Sequence, residues 1–574
     1  MYRKRISTLL IFFALLVLGL LFGVFFRVII QGDDLTNTPY IEQKIINKIY
    51  IAEQTDAITE KNGEVFIDQA ALEQMYGKRL TRFIGKRTRF FSYKNNKFKI
   101  DGDGFRVANH RITQGKNLED RGRILDRNGL VLAESIQGMV GNITRKYPLG
   151  LATAPLLGVA HPIYGLKGLE KTLNSWLAGR QHSSAFSSFY RLASGRQKTT
   201  DIKLTIDGAV QQKIYQSMAH KTGAVVVLDI NSGEMLAAVS TPAFDPSQPA
   251  GKYWEDEVKK GYRSGFVNRT LERRYPPGST FKLVTAAAWA DRTDFDIKWG
   301  MRCRGRHKTL GISDHNKRGH GWVSLQTAVS VSCNVFFSDI GVRLGPLLLK
   351  EANRFGFNRS WLPAGKKSTS LQSLAFAGYP AVNSGREWTA LNFNNNPKLV
   401  AQGAIGQNVV LATPLQMALT IAAIGNDGVM MKPRLVRGAY FSDHDASVGL
   451  INQWPDTKGE VGRSCRKDTA KMLVEMMKKV MQTGTGYSIP KLYKYRGKYI
   501  LSSILPKGET TQLLGKTGTA ETGRGRADHS WFVGLAPADK PRYAVAVIVE
   551  HGGLGAKVAG PIAARAMRDV LNMK

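Results

Sequence analysis

Cysteine is scarce in this 574-residue chain, where Cys303, Cys333 and Cys465 are the only three. So few thiols exclude a disulfide scaffold, and the odd count leaves at least one unpaired within the chain. Acidic residues are also few, 45 Asp and Glu against 81 Lys and Arg, for a net charge of +36. That balance raises a polyanion as partner, nucleic acid or anionic lipid among them. Nucleotide and metalloprotease signatures are missing. No HExxH occurs and no GxGxxG opens a helix. Gly515-Lys516-Thr517 has the ending of a phosphate-binding loop, but Thr510 stands where the earlier glycine is required. There is no internal repeat and no low-complexity tract. With 43% hydrophobic and 22% charged residues the chain is equipped to bury cores. At roughly 150 residues per domain it has room for three or four domains.

One long apolar run is present. Residues 6–26 carry no charge over 21 positions. As a helix this run spans about 31 Å, the thickness of a bilayer core. Arg3, Lys4 and Arg5 precede it, and Asp33 and Asp34 follow. That asymmetry keeps residues 1–5 in the cytoplasm and exports the rest. The run exceeds the roughly 7–15 apolar residues of a signal peptide, and no small-x-small cleavage pattern follows it. The expectation is an uncleaved transmembrane anchor at 6–30. With the body outside the cytoplasm, nucleic acid is not an expected partner.

Residues 31–117 form a polar, basic juxtamembrane region to which the sequence assigns no role. Its stretch 78–99 holds nine Lys or Arg and no acid, with aromatics interleaved, and reads as a solvated face or a contact with anionic headgroups or wall polymers. Residues 121–133 (RGRILDRNGLVLA) read as strand, Asn-Gly turn, strand, and residues 223–240 give a stronger hairpin around Asn231-Ser232-Gly233. The middle is helical in pattern at 281–290, 325–344, 415–424 and 471–481. Strand character returns at 530–535 and 543–550, and 562–573 reads as a closing helix. Strands at both ends around a helical middle predict an α+β domain whose sheet unites distant segments.

Residues 275–283 read YPPGSTFKL, placing Ser279 at a helix start with Lys282 one turn on along the same face. A serine hydroxyl is a weak nucleophile that needs a nearby base and gains from the helix dipole. A lysine can be that base if cationic neighbours and burial depress its pKa. Alone, the pair also fits a capped helix. Ser332-Cys333-Asn334 lies inside the helical pattern 325–344, where Ser and Asn are costly unless their polar groups are used. Lys516-Thr517-Gly518-Thr519 has strand character; its glycine permits close backbone approach, and its cation and hydroxyls suit a carboxylate. Ser-x-x-Lys, Ser-x-Asn and Lys-Thr-Gly in this order are the signature of penicillin-interacting serine enzymes.

At these residues the chain resembles the class B penicillin-binding proteins, membrane-anchored D,D-transpeptidases of bacterial peptidoglycan. The resemblance covers roughly 120–574. RGRILDRNG at 121–129 and Gly168-Leu169-Glu170 are similar to the family's pedestal motifs. LTID at 204–207, NRTLERRYPPGSTFK at 268–282, GQNVVLATPLQMA at 406–418 and the block 529–553 are similar to parts of its catalytic domain. The resemblance implies a β-rich pedestal at 118–203 and a transpeptidase domain at 204–574, an antiparallel sheet flanked by helices. It implies Ser279 as nucleophile, Lys282 as its base, Ser332 as proton shuttle and Asn334 as substrate-positioning group. Lys516 and Thr517 would bind the terminal carboxylate on a strand that includes Gly518. The N–H groups of Ser279 and Thr519 would form the oxyanion hole. Peptidoglycan stem peptides and β-lactams are the implied ligands, and a polytopic membrane glycosyltransferase an implied partner, because the chain shows no polymerase domain. The implied location is the bacterial inner membrane, single-pass, with the catalytic domain outside. A membrane-anchored β-lactamase or penicillin sensor, or a silent scaffold of wall enzymes, would carry related motifs.

No cofactor is required for this chemistry. Cys303, His307, Asp314, His315, His320 and Cys333 nevertheless fall within 31 residues. Thiolate, imidazole and carboxylate together suit a structural zinc, whereas histidines in a basic loop also occur simply solvated. The spacing of Asp314, His320 and Cys333 resembles a zinc site of elongation-type members of the family. Cys303, separated from Asp314 by a loop of ten residues, is the expected fourth ligand.

Overall fold

The computed structural model describes residues 121–573 apart from 138–142, 162–164, 180–198, 219, 249–251, 359–395, 442–449, 454–458 and 523–524. Before residue 121 it describes five short strands, Ile58–Lys61, Glu64–Ile67, Phe91–Lys94, Lys97–Ile100 and Arg106–Ala108, paired in sequence order as an antiparallel meander. The expected tail at 1–5 and anchor at 6–30 lie outside the described residues. Among those described, no helix is long and apolar enough to cross a membrane.

Strands from opposite ends of the chain meet in one sheet. After helix α1 (Gly208–Met218) come strands β1 (Gly223–Asp229) and β2 (Met235–Thr241). A helical stretch follows, with α2 (Lys282–Ala290), α3 (Leu325–Val331), α4 (Asn334–Leu344), α5 (Pro414–Gly425) and α6 (Lys467–Gln482). Strands β3 (Leu514–Ala520), β4 (His529–Ala536) and β5 (Tyr543–Val549) and helix α7 (Ala559–Leu571) close the chain. The sheet order is β2-β1-β5-β4-β3, antiparallel throughout, with Val226 opposite Ala546. The expected α+β union of distant segments is what the chain forms.

Both faces of this sheet are covered. Val225, Val227, Phe532, Val545 and Val547 pack under α1 and α7, with Ile214, Ile562 and Met567. The opposite face carries Val226, Leu228, Trp531, Val533 and Ala546 against the helical layer. A strand buried on two faces has no reason to alternate, and all seven residues of β5 are buried. Helix α5 runs through the middle of that layer, started by Thr413, whose hydroxyl accepts the Gln416 N–H, and by Pro414 in its first turn.

A second sheet lies N-terminal to this one. The Asn-Gly turn is as expected: Asp126 Oδ1 accepts the N–H groups of Asn128 and Leu130 at 2.7 and 2.8 Å, and Gly129 takes φ +93°. Glu170 is fully buried between Arg121 and Arg145 at 2.6 and 2.7 Å. Burial alone would raise its pKa, but the two guanidinium groups hold the carboxyl below its usual value. Thr200–Leu204 runs parallel to Ile124–Leu125 and antiparallel to Val436–Phe441, so a segment that follows α5 pairs into the sheet that begins at residue 124.

Candidate active site

Ser279 lies in the single 3-10 turn Gly278–Thr280 that leads into α2. Gly278 adopts φ +53°, and a Cβ there would fall 2.5 Å from Thr519 O, so this turn sits directly against β3. Gly518 is equally confined, since a Cβ would meet Thr280 Cγ2 at 2.8 Å and Trp531 Cβ at 2.9 Å. These two glycines are what allow the first and third motifs to touch.

Lys282 opens α2 and is completely buried. Its Nζ donates to Ser332 O at 2.7 Å, Ser332 Oγ at 3.2 Å and Asn334 Oδ1 at 2.6 Å. Lys516, also completely buried, donates from Nζ to Ser332 Oγ at 2.9 Å and to Thr517 O at 3.0 Å. Two ammonium groups thus converge on one hydroxyl. Burial pulls Lys282 down to about 8, against the Asp314 carboxylate, which raises it. Burial and the nearby Lys282 charge push Lys516 well below the ordinary lysine range. Such depression is what converts a lysine from an ion-pairing group into a base near neutral pH.

The second motif is not inside a helix, contrary to the periodicity of 325–344. Helix α3 stops at Val331, Ser332 takes a left-handed conformation (φ 59°, ψ 43°), Cys333 is extended, and α4 starts at Asn334. The break resolves the poor helix propensity of this triplet. It turns Ser332 Oγ toward both lysines, and it frees the Asn334 N–H for Asp314 Oδ1 at 2.7 Å. Asn334 Nδ2 donates to Ser313 O at 2.9 Å, so the 303–320 loop fixes the side chain that contacts Lys282. Among the described residues, neither lysine hydrogen-bonds the Ser279 hydroxyl. Such bonds often tighten only when substrate binds.

Thr517 is buried, and its hydroxyl lies 2.6 Å from that of Thr485, in the turn after α6. Strand β3 pairs with β4 alone among the described strands, which leaves one edge available for an extended peptide. Sequence reading missed three supports. Thr485 is one. Gly406 is another: at φ +74° its carbonyl accepts the Gly278 N–H at 2.9 Å. Trp531, whose Nε1 donates to Pro276 O at 3.0 Å, is the third. Gly406 and Trp531 had a legible signal, since each falls within a block singled out above, 406–418 and 529–553.

The four expected metal ligands come together. Cys303 Sγ and Cys333 Sγ donate to Asp314 Oδ2 at 3.2 and 3.1 Å. His320 Nδ1 is 3.7 Å from both Cys303 Sγ and Asp314 Oδ2. All four donor atoms lie within 4.8 Å of one another. With metal–ligand bonds of about 2.0–2.3 Å, the edges of a zinc tetrahedron are roughly 3.3–3.8 Å, and four of the six donor separations in this set, at 3.1–3.7 Å, lie close to that range. His307 is not part of it: its Nδ1 accepts the Leu310 N–H and its Nε2 faces Asp339 at 3.5 Å. His315 is exposed.

Comparisons with known proteins point to one family. Residues 223–568, more than half of the chain, match the penicillin binding protein transpeptidase domain, and residues 121–201 match the penicillin binding protein A dimerisation domain. The peptidoglycan D,D-transpeptidase PbpA of Mycolicibacterium smegmatis is 29% identical over 81% of this chain and 92% of its own. The peptidoglycan D,D-transpeptidase MrdA of Acinetobacter baumannii is 30% identical over 70% of this chain and 60% of its own. Among solved structures, the imipenem acyl-enzyme of penicillin-binding protein A from M. tuberculosis is 26% identical, with a TM-score of 0.65, over 80% of this chain and all of that one. The chain belongs to the penicillin-binding protein transpeptidase family, as a class B member.

Proposed function

We propose that this protein is a peptidoglycan D,D-transpeptidase that cross-links stem peptides through an acyl-enzyme on Ser279. The convergence of Lys282 and Lys516 on Ser332 Oγ carries the reading. The stem peptide lies along the free edge of β3, its terminal carboxylate against Lys516 and the Thr517 hydroxyl. Lys282, neutral above about pH 8, takes the Ser279 proton as Oγ attacks the carbonyl between the terminal D-alanines. Negative charge on that oxygen meets the N–H groups of Ser279 and Thr519. Ser332 passes the proton to the departing amine, and D-alanine leaves. The amine of a second stem peptide then attacks the ester, its proton returns through the same groups, and Ser279 is regenerated. A β-lactam enters as the donor does, but its ring opens without a leaving group and the ester persists.

The same reading includes an inner-membrane anchor at 6–30, supported by the charge asymmetry around the apolar run, and a polytopic glycosyltransferase as partner, which the resemblance implies. It includes a zinc held by Cys303, Asp314, His320 and Cys333. When bound, that ion supplies no chemistry to acyl transfer, only a clamp on the loop that holds Asn334.

Fluorescent penicillin tests the site. Ser279→Ala should lose all covalent label while its melt stays within about 0.5–2 kcal/mol of the parent, the range for removing a hydroxyl at a helix start. Label persisting on that variant refutes Ser279 as nucleophile. Rapid turnover of the label by the parent protein would mark a β-lactamase instead.

A further inference from the structure

We infer that Thr485 is a positioning residue that sets the direction of the Thr517 hydroxyl, and so the enzyme's selectivity for a substrate carboxylate. This rests on the assignment of Thr517 to that carboxylate.

The turn after α6 is held by backbone hydrogen bonds and closely seated. Thr483 and Gly484 donate their N–H groups to Lys479 O at 2.9 and 3.1 Å, and Gly486 donates to Val480 O at 2.9 Å. Gly484 leaves no room for a side chain, since a Cβ would fall 2.4 Å from Ser330 O. The next residue, Thr485, donates its N–H to that same Ser330 O at 3.2 Å, two positions before Ser332. Its hydroxyl oxygen then lies 2.6 Å from Thr517 Oγ1 on β3. Thr485 therefore bridges the strand of the third motif and the helix end that precedes the second.

Each hydroxyl carries one proton and two lone pairs. If Thr517 donates to Thr485, its only proton is spent and its oxygen repels a carboxylate. If Thr485 donates to Thr517, the Thr517 proton is free for the carboxylate, and the chain of two hydroxyls is polarised toward the anion. An anionic substrate selects the second arrangement and a neutral one does not. The bond is worth something only when the incoming group is charged, which makes Thr485 a discriminator and not merely a packing residue.

The test compares acylation of the full-length protein by benzylpenicillin and by its methyl ester, which masks the carboxylate. Thr485→Val removes the hydroxyl at nearly constant shape. It should lower the second-order rate constant for benzylpenicillin about tenfold, the value of a charge-assisted hydrogen bond. The rate with the methyl ester should be unchanged, so the acid-to-ester ratio falls by the same factor, and the loss should lie in the pre-covalent affinity. Thr485→Ser, which keeps the hydroxyl, should restore the ratio. If the valine variant does not fold, Thr485→Ala is read in the same way. A folded variant with an unchanged ratio, or one that loses acid and ester equally, overturns the inference. Mass spectrometry of the parent decides the underlying assignment separately: absence of an acyl adduct on Ser279 refutes the transpeptidase reading whatever the ratio does.

Discussion

Lys516 Nζ donates to Ser332 Oγ at 2.9 Å, across 184 positions of sequence. Lys282 reaches the same oxygen at 3.2 Å. A hydroxyl that accepts twice has its own proton left to give, and the natural receiver is the amine that departs from the carbonyl carbon as Ser279 becomes acylated. The left-handed backbone of Ser332 makes this possible by turning the side chain out of the line of α3.

Ser332 should therefore separate chemistry from stability. Ser332→Ala and Ser332→Gly should both slow acylation by about 10²–10⁴-fold, the usual worth of a positioned proton-transfer group. Glycine relaxes a φ of 59° that alanine must still adopt, so the glycine variant should be the more stable by about 1 kcal/mol. Stopped-flow acylation and chemical denaturation measure the two effects.

The pH profile of acylation should rise with pH through an apparent pKa near 8. Burial depresses Lys282 to about 8, and the proton-accepting form is the neutral amine, so rate is lost below that value and gained above it. Because the Lys282 charge also depresses Lys516, the two titrations are linked and the midpoint belongs to the pair. Lys282→Arg, always charged, should be inactive at every pH. A rate that falls between about pH 7 and 9 would contradict Lys282 as base.

Gly406 should prove sensitive although it touches no substrate. At φ +74°, a Cβ would fall 2.2 Å from Gly278 O, inside the turn that carries Ser279. Gly406→Ala should cost about 1–3 kcal/mol of stability, as overpacking does. It should also lower penicillin acylation more than tenfold at a temperature where the variant is folded, because a misplacement near 1 Å at the nucleophile costs about 10²-fold. A folded variant with parental acylation would show that this buttress is dispensable.

Protein purified without chelators or a metal-affinity tag should carry about one zinc per chain by elemental analysis, as four donors predict. Chelation should lower the melting temperature and added zinc restore it, by mass action on the folded state. Cys303→Ser should weaken binding and Asp314→Ala should in addition loosen α4, since Asp314 accepts the Asn334 N–H. Zinc content near zero in the parent refutes the site.

The chemistry of this protein is written locally. Ser279-x-x-Lys282, Ser332-x-Asn334 and Lys516-Thr517-Gly518 are short strings of the residue types that an acyl transfer requires, so they could be read without coordinates. The hairpin at Asn231-Ser232-Gly233 and the apolar runs at 223–229 and 543–549 were legible for a similar reason, since turn chemistry and burial leave marks in consecutive residues. Cys303, Asp314, His320 and Cys333 stood out as a rare density of ligand types.

Tertiary structure decided the rest. Periodicity ran 325–344 together as one helix, because helix propensity is a weak preference that the lysines and Asp314 override at Ser332 and Cys333. Val436–Phe441 pairs with Thr200–Leu204 through backbone hydrogen bonds, which no side-chain pattern encodes. Thr485 meets Thr517 across 32 residues, and nothing about a Thr-Gly-Thr-Gly turn distinguishes a hydroxyl that reaches the active site from one that faces water. The depressed pKa of Lys282 has the same origin. It comes from burial among residues up to 52 positions away, a property of the assembled core and not of any segment of chain.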